Sequence, residues 1–355
     1  AAANDDDVYG TLPFARRPGV LIVHVIPSSG VATSVVESKV LPQLSAEQVH
    51  AALPWDALAS ALADAFMAPP SAPVRTAHAL SPTDTLLLMP AWNAQAIGIK
   101  LVTVIPSACD HGGHTVDASY LVLDRLTGAP RAMLDGEALT VRRTAATSAL
   151  AARAMAVAAP TSLLVVGTGR LAPWMARAYC ALLPSLTEVR IWGRDGMKAG
   201  AVAHQLHSEG IPAIPVDTAA LPAAVEQSAL VSCVTTSTTP VVLGAWLQPG
   251  THVDLVGGFT PAMREVDNVA IQRARIVVDR MDSALQEAGD LVQPLEAGVI
   301  PRAHIIGDLG ALLRGETRAR RSDDEITLFK SVGHALEDLA GATLAYSTHV
   351  HTGSR

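Results

Sequence analysis

The hexapeptide Gly167-Thr168-Gly169-Arg170-Leu171-Ala172 constrains this chain more than any other feature. It follows the short apolar run Leu163–Val166 and opens a helix predicted over residues 170–183, the setting in which a G-x-G-x-x-G/A spacing carries meaning. Gly167 permits a tight turn, Gly169 lets a pyrophosphate approach the backbone, and Ala172 lets the helix pack on the strand. The helix N-terminus adds a favourable field for the anion. Further strands predicted at Val189–Trp192, Ala213–Val216, Leu230–Thr235, His252–Val256 and Ile276–Asp279 are short and apolar, with a helix at residues 197–208 among them. Such alternation marks a parallel sheet covered on both faces. The expected fold class is α/β, with a Rossmann-type doubly wound dinucleotide domain over about residues 146–322.

The end of the second strand bears on the cofactor. An acid there accepts ribose hydroxyls, whereas an arginine accommodates a 2′-phosphate. The chain reads Gly193-Arg194-Asp195 at that point. Arg194 favours NADPH, and Asp195 leaves NADH open.

The first part of the chain has another period. Ser45-Ala46-Glu47-Gln48 has capping-box spacing, and Pro54 opens a helix with Leu58, Leu62 and Phe66 on one face. Strands are predicted at Val74–Ala79, Thr83–Met89, Ile97–Ile105, Ser119–Asp124 and Pro130–Leu134, the last two joined by the Leu126-Thr127-Gly128 turn. In Ile97–Ile105 the apolar Ile97, Ile99, Leu101 and Ile105 point one way and Lys100 the other, by default onto a solvated face. Residues 140–158 form an alanine-rich helix suited to close packing, and residues 323–344 read as a terminal amphipathic helix. Residues 41–145 and 323–355 together make a second, α+β domain. Residues 1–40 contain the acidic Asp5–Asp7, Arg16-Arg17 and the apolar Val20–Val25, faintly like a signal peptide but with no convincing cleavage site. They read as an extension of unknown role.

Composition removes several functions. With 26 basic and 33 acidic residues the net charge is −7, so there is no basic field for nucleic acid or an anionic bilayer. No apolar run approaches the roughly 18 residues of a membrane span. Cys109, Cys180 and Cys233 are widely separated, which argues against disulfides and structural zinc and fits a reducing cytoplasm. His111 and His114 flank two glycines in a loop and read as solvated, so no metal is expected; Arg314–Arg321 reads as a solvated linker. Lysine is so scarce beside arginine that each one is informative.

Several motifs stand in one order over about residues 41–344: Met89-Pro90, Lys100-Leu101-Val102-Thr103, Leu139-Thr140-Val141-Arg142-Arg143-Thr144-Ala145-Ala146, Gly257-Gly258 with Arg264-Glu265, and Phe329-Lys330-Ser331-Val332-Gly333. Together they resemble the ornithine cyclodeaminase/mu-crystallin family. The resemblance implies a homodimer through the N-terminal sheet. It also implies a substrate carboxylate and ring nitrogen surrounded by three cations, here Arg75, Lys100 and Arg143. A guanidinium grips a carboxylate at two points, and an ammonium adds charge without directional demand. The expected cofactor contacts are Thr115, Arg143, Thr144, Gly167, Gly169, Arg170, Leu171, Arg194, Thr235, Val256, Gly257, Gly258 and Ser331.

Two departures refine the expectation. Cyclodeaminases of that family carry an acid before the Leu-Met-Pro segment and an aspartate after the paired glycines; here those positions are Leu87 and Phe259. Without these carboxylates there is no evident base for deamination. Val256–Glu265 is instead similar to the ketimine-reductase branch. The expected activity is NAD(P)H-dependent reduction of Δ1-pyrroline-2-carboxylate to L-proline and Δ1-piperideine-2-carboxylate to L-pipecolate, with Lys100 the catalytic proton source. Alternatives are reductive amination of the alanine dehydrogenase type, ornithine cyclodeaminase activity, which Leu87 and Phe259 disfavour, and a mu-crystallin-like NADPH-dependent binding protein.

Overall fold

Antiparallel alternation in the first part of the chain and short apolar runs in the second produce two sheets. The computed structural model describes residues 41–353, and the N-terminal extension lies outside the described residues. The first sheet holds β1 (Gln43–Leu44), β2 (Thr76–Ala79), β3 (Thr85–Trp92), β4 (Ala96–Val104), β5 (Val116–Asp124) and β6 (Pro130–Asp135), in the order β1-β6-β5-β4-β3-β2. The second holds β7 (Ser162–Val166), β8 (Glu188–Trp192), β9 (Ala213–Pro215), β10 (Leu230–Cys233), β11 (His252–Leu255), β12 (Ala274–Val278), β13 (Ile305–Asp308) and β14 (Ile326–Lys330). Its strands are all parallel, in the order β13-β12-β14-β11-β10-β7-β8-β9. The chain reverses direction across this sheet between β7 and β10, the place where doubly wound folds open a ligand crevice.

The helices are α1 (Ala46–Ala51), α2 (Trp55–Met67), α3 (Gly136–Met155), α4 (Ala172–Leu182), α5 (Gly196–Ser208), α6 (Leu221–Glu226), α7 (Asn268–Arg273), α8 (Met281–Glu287), α9 (Gly289–Glu296), α10 (Leu309–Leu313) and α11 (Ala335–Gly353). The capping box at Ser45 forms as expected, and Leu58, Leu62 and Phe66 of α2 are buried. None of the helices among the described residues is long and apolar enough to cross a membrane.

Helix α3 explains its own composition. Ala146, Leu150 and Ala151 pack with α2, α11 and the first sheet, while Ala145, Ala149 and Ala152 pack with β7 and α4. Small side chains on both faces let two cores approach one helix. Arg142 leaves it toward Trp55, its guanidinium 3.6 Å from the ring centroid, whereas Arg143 points to the opposite region described below.

Three expectations need correction. The alternation along β4 is as predicted, but the faces are reversed: Gly98, Lys100 and Val102 are buried, while Ile97 and Ile99 are half-buried and Leu101 is exposed. Helix α11 packs on the Lys100 face and supplies it with a counter-charge, which polarity alone cannot announce. The terminal segment is not one helix. Ile326–Lys330 is a fully buried strand between β11 and β12, and α11 begins only after Gly333 turns the chain with φ +80°. A run buried on both faces lacks the alternation that marks a strand. The basic run is not simply solvated either, since Arg320 donates to the carbonyls of Met155 and Gly250, each at 2.9 Å.

Ala149→Leu should overpack the seam between α3 and β7 and lower stability by about 1–3 kcal/mol. Urea denaturation checks this, and an unchanged midpoint would show that the seam has slack.

Candidate functional site

The dinucleotide loop is built by β7 and α4. Gly167 has φ +131°, and a Cβ there would lie 2.8 Å from the Val234 carbonyl, so only glycine fits. Gly169 has nothing within 4 Å of the corresponding position, which leaves its backbone open to the crevice. Ala172 is fully buried at the start of α4. At the end of β8, Asp195 caps α5, accepting from the N–H groups of Met197 (3.0 Å) and Lys198 (3.3 Å). Arg194 beside it is exposed.

In front of this loop lies a cleft of about 330 Å³. Of the residues expected at the cofactor, Arg143, Thr144, Gly169, Arg170, Leu171, Thr235, Val256, Gly257 and Ser331 line it, together with Phe259. A dinucleotide fits this donor set: open glycine backbone, a helix N-terminus and a cleft large enough for a planar ring. An adjoining cleft of about 260 Å³ shares Thr140, Thr144, Arg170 and Leu171 with the first and is floored by Lys100. Arg170 forms an ion pair with Glu137 at the border of the two. Gly167, Gly258, Arg194 and Thr115 line neither cleft. Thr115 is exposed, with its hydroxyl 3.3 Å from Cys109 Sγ.

Of the three expected substrate cations, Lys100 and Arg143 meet at the start of α11, and Arg75 stands apart behind the preceding turn. Lys100 Nζ is 3.3 Å from Asp338 Oδ1, and Arg143 Nε donates to the same oxygen at 3.0 Å. Arg143 Nη1 donates to Glu337 Oε2 at 3.0 Å, and that oxygen also accepts from Thr147 at 2.8 Å. Arg75 Nη2 donates to the Gly333 carbonyl at 2.7 Å and pairs with Glu287 at 3.1 Å. Arg75 therefore reaches the group through the Gly333 turn, against which Arg143 packs from the other side. It lines a small recess of its own with His334 and Glu287.

Burial sets the electrostatics. It pushes the Lys100 ammonium down to about 8, opposed by Asp338 and reinforced by Arg143 and Arg75. Burial also opposes the charge on Arg143, but Asp338 and Glu337 outweigh it and hold the guanidinium firmly protonated. Asp338 stays below the usual carboxylate range because Arg143 and Lys100 overcome its burial.

Glu337 and Asp338 escaped sequence reasoning, since acids in a helix's first turn look like ordinary complements of the helix dipole. Leu87 and Phe259 stand where the resemblance places the cyclodeaminase acids. Leu87 is half-buried on β3, and Phe259 is 44% exposed on the wall of the larger cleft. His111 and His114 are exposed, and no cluster of metal-ligating groups occurs among the described residues.

Asp338→Asn should leave two buried cations short of a counter-charge and cost about 3–5 kcal/mol. Urea denaturation reads this directly, and a loss below about 1 kcal/mol would mean that Glu337 compensates both.

Residues 39–353 match the model of the Ornithine cyclodeaminase/mu-crystallin family. The chain is 39% identical over 274 residues to a Delta(1)-pyrroline-2-carboxylate reductase of Paracoccus denitrificans, covering 76% of this chain and 85% of that protein. Its fold superposes with TM-score 0.82 and 29% identity on Thermococcus litoralis Delta(1)-pyrroline-2-carboxylate reductase in complex with NADH and L-proline, over 88% of this chain and 98% of that one. An archaeal alanine dehydrogenase dimer with bound NAD is similar at TM-score 0.81 and 26% identity, over 88% and 97% of the two chains.

Proposed function

The chain belongs to the ornithine cyclodeaminase/mu-crystallin family, and on that footing we propose that it reduces cyclic imines bearing a 2-carboxylate, Δ1-pyrroline-2-carboxylate and Δ1-piperideine-2-carboxylate. It is an NAD(P)H-dependent oxidoreductase acting on C=N and CH–NH bonds. The observation that carries the substrate reading is the shared Asp338 oxygen, which holds Lys100, on the floor of the smaller cleft, beside Arg143, on the wall of the larger one. Asp338 and Glu337 keep Arg143 charged for a carboxylate, while Lys100, already lowered toward neutrality, is suited to giving up a proton.

When bound, a reduced nicotinamide supplies a hydride to C2 of the imine. The chain's own residues do the rest. Arg143 and Arg75 orient the carboxylate, Lys100 delivers a proton to the ring nitrogen directly or through water, and Phe259 excludes water from one wall. The products are L-proline and L-pipecolate. NADPH is preferred to NADH, because Arg194 is exposed while Asp195 is engaged as a helix cap. The chain acts as a homodimer in the cytoplasm. The outer face of the first sheet carries half-buried Leu88, Ile97, Ile99, Leu121 and Leu123 with exposed Leu101, an apolar surface of the kind that subunits cover.

The likeness to an alanine dehydrogenase favours one rival, reductive amination of pyruvate. Oxidation of NADPH and NADH with each imine, and with pyruvate plus ammonia, separates the two. Turnover with the imines alone is expected; turnover only with pyruvate and ammonia would replace this reading.

Lys100→Met should lower kcat about 100-fold or more while leaving dinucleotide binding intact. A proton donor must be charged to act, so kcat/KM should fall as pH rises through about 8, where Lys100 loses its proton. A profile flat across that range would remove Lys100 from the proton path.

A further inference from the structure

Glu265 is fully buried and has no part in the chemistry above, yet its carboxylate is saturated by donors from two loops. Oε1 accepts from the Thr235 N–H at 2.7 Å and the Thr235 hydroxyl at 2.8 Å. Oε2 accepts from the N–H of Gly257 at 2.7 Å and of Gly258 at 3.4 Å. These loops leave the C-terminal ends of β10 and β11, and their other side is the wall of the larger cleft through Thr235, Val256, Gly257 and Phe259. We propose that Glu265 is the positioning residue of the dinucleotide site, clasping the two loops so that their cleft-facing backbone is held in the shape that receives the nicotinamide half.

Support behind the carboxylate is equally specific. The N–H groups of Glu265 and Val266 donate to Asp290 Oδ1 at 2.7 and 3.1 Å, and Asp290 Oδ2 lies 3.4 Å from Lys330 Nζ. Asp290 and Lys330 are both fully buried, so β14 anchors the clasp from beneath. Space explains the paired glycines in the same way. A Cβ on Gly257 would lie 2.0 Å from the Thr235 carbonyl and 2.3 Å from Glu265 Oε1, and one on Gly258 would lie 2.4 Å from Asp290 Oδ2. The pair is therefore demanded by the acids behind the loops as well as by any ligand in front.

The inference rests on the oxidoreductase reading only for the identity of the bound group, and its test reads binding rather than turnover. Glu265→Gln keeps one acceptor oxygen but turns an NH2 group toward the N–H groups of one loop. Titration of NADPH and NADH fluorescence should show Kd raised about tenfold or more. The dinucleotide KM should rise in parallel, with kcat at saturation within about threefold of the parent. Glu265→Gln that melts like the parent and binds within about twofold of it would overturn the proposal. Should that variant fail to fold, Thr235→Val removes the hydroxyl's contact with Glu265 and its acceptance from the Ser237 N–H. About threefold weaker binding then supports the clasp, and unchanged binding overturns it. If the parent binds dinucleotide but reduces neither imine, the substrate reading fails and the clasp stands; parental turnover with unaltered binding in Glu265→Gln rejects the clasp alone.

Discussion

One carboxylate oxygen, Asp338 Oδ1, sits between Lys100 and Arg143 in a space with almost no access to water. Two cations buried side by side repel each other, and their shared neighbour on α11 offsets that repulsion. The same helix packs on β3, β4 and β5, against the face of the sheet that is inside. The leucines and isoleucines then lie outward, where a second subunit could cover them. A single acid thus answers two cations on the face of the sheet that also buries Met89, Tyr120, Val122 and Leu134.

The second buried acid system works differently. Around Asp338 the partners are charged side chains, and the result is a tuned lysine. Around Glu265 the partners are main-chain N–H groups and one hydroxyl, and the result is geometry. Asp338 lies in the first turn of α11 and Glu265 in the loop before α7, so that substrate and cofactor walls are braced from behind by separate carboxylates.

What could be read from the chain alone follows the range of the interactions involved. The turn at Gly167, the cap at Ser45 and the alternation of short apolar strands with helices depend on neighbours within a few residues, and all are found as expected. Lys100 and Arg143 stand out in the sequence only through the family resemblance. Their partners do not stand out, because Asp338 meets them across separations of 238 and 195 residues. Glu265 stood in a noticed motif without a role, since its acceptors serve loops that only the sheet brings together. Strand β14 was hidden for another reason: burial on both faces erases the alternation by which a strand is recognised.

Helix α3 places alternate faces of one unbroken segment in two cores. Neither sheet can shed its packing without stripping side chains from the element that the other also needs. The free energy of opening either one therefore includes part of the other's, and a run of alanines carries cooperativity from one layer to the other.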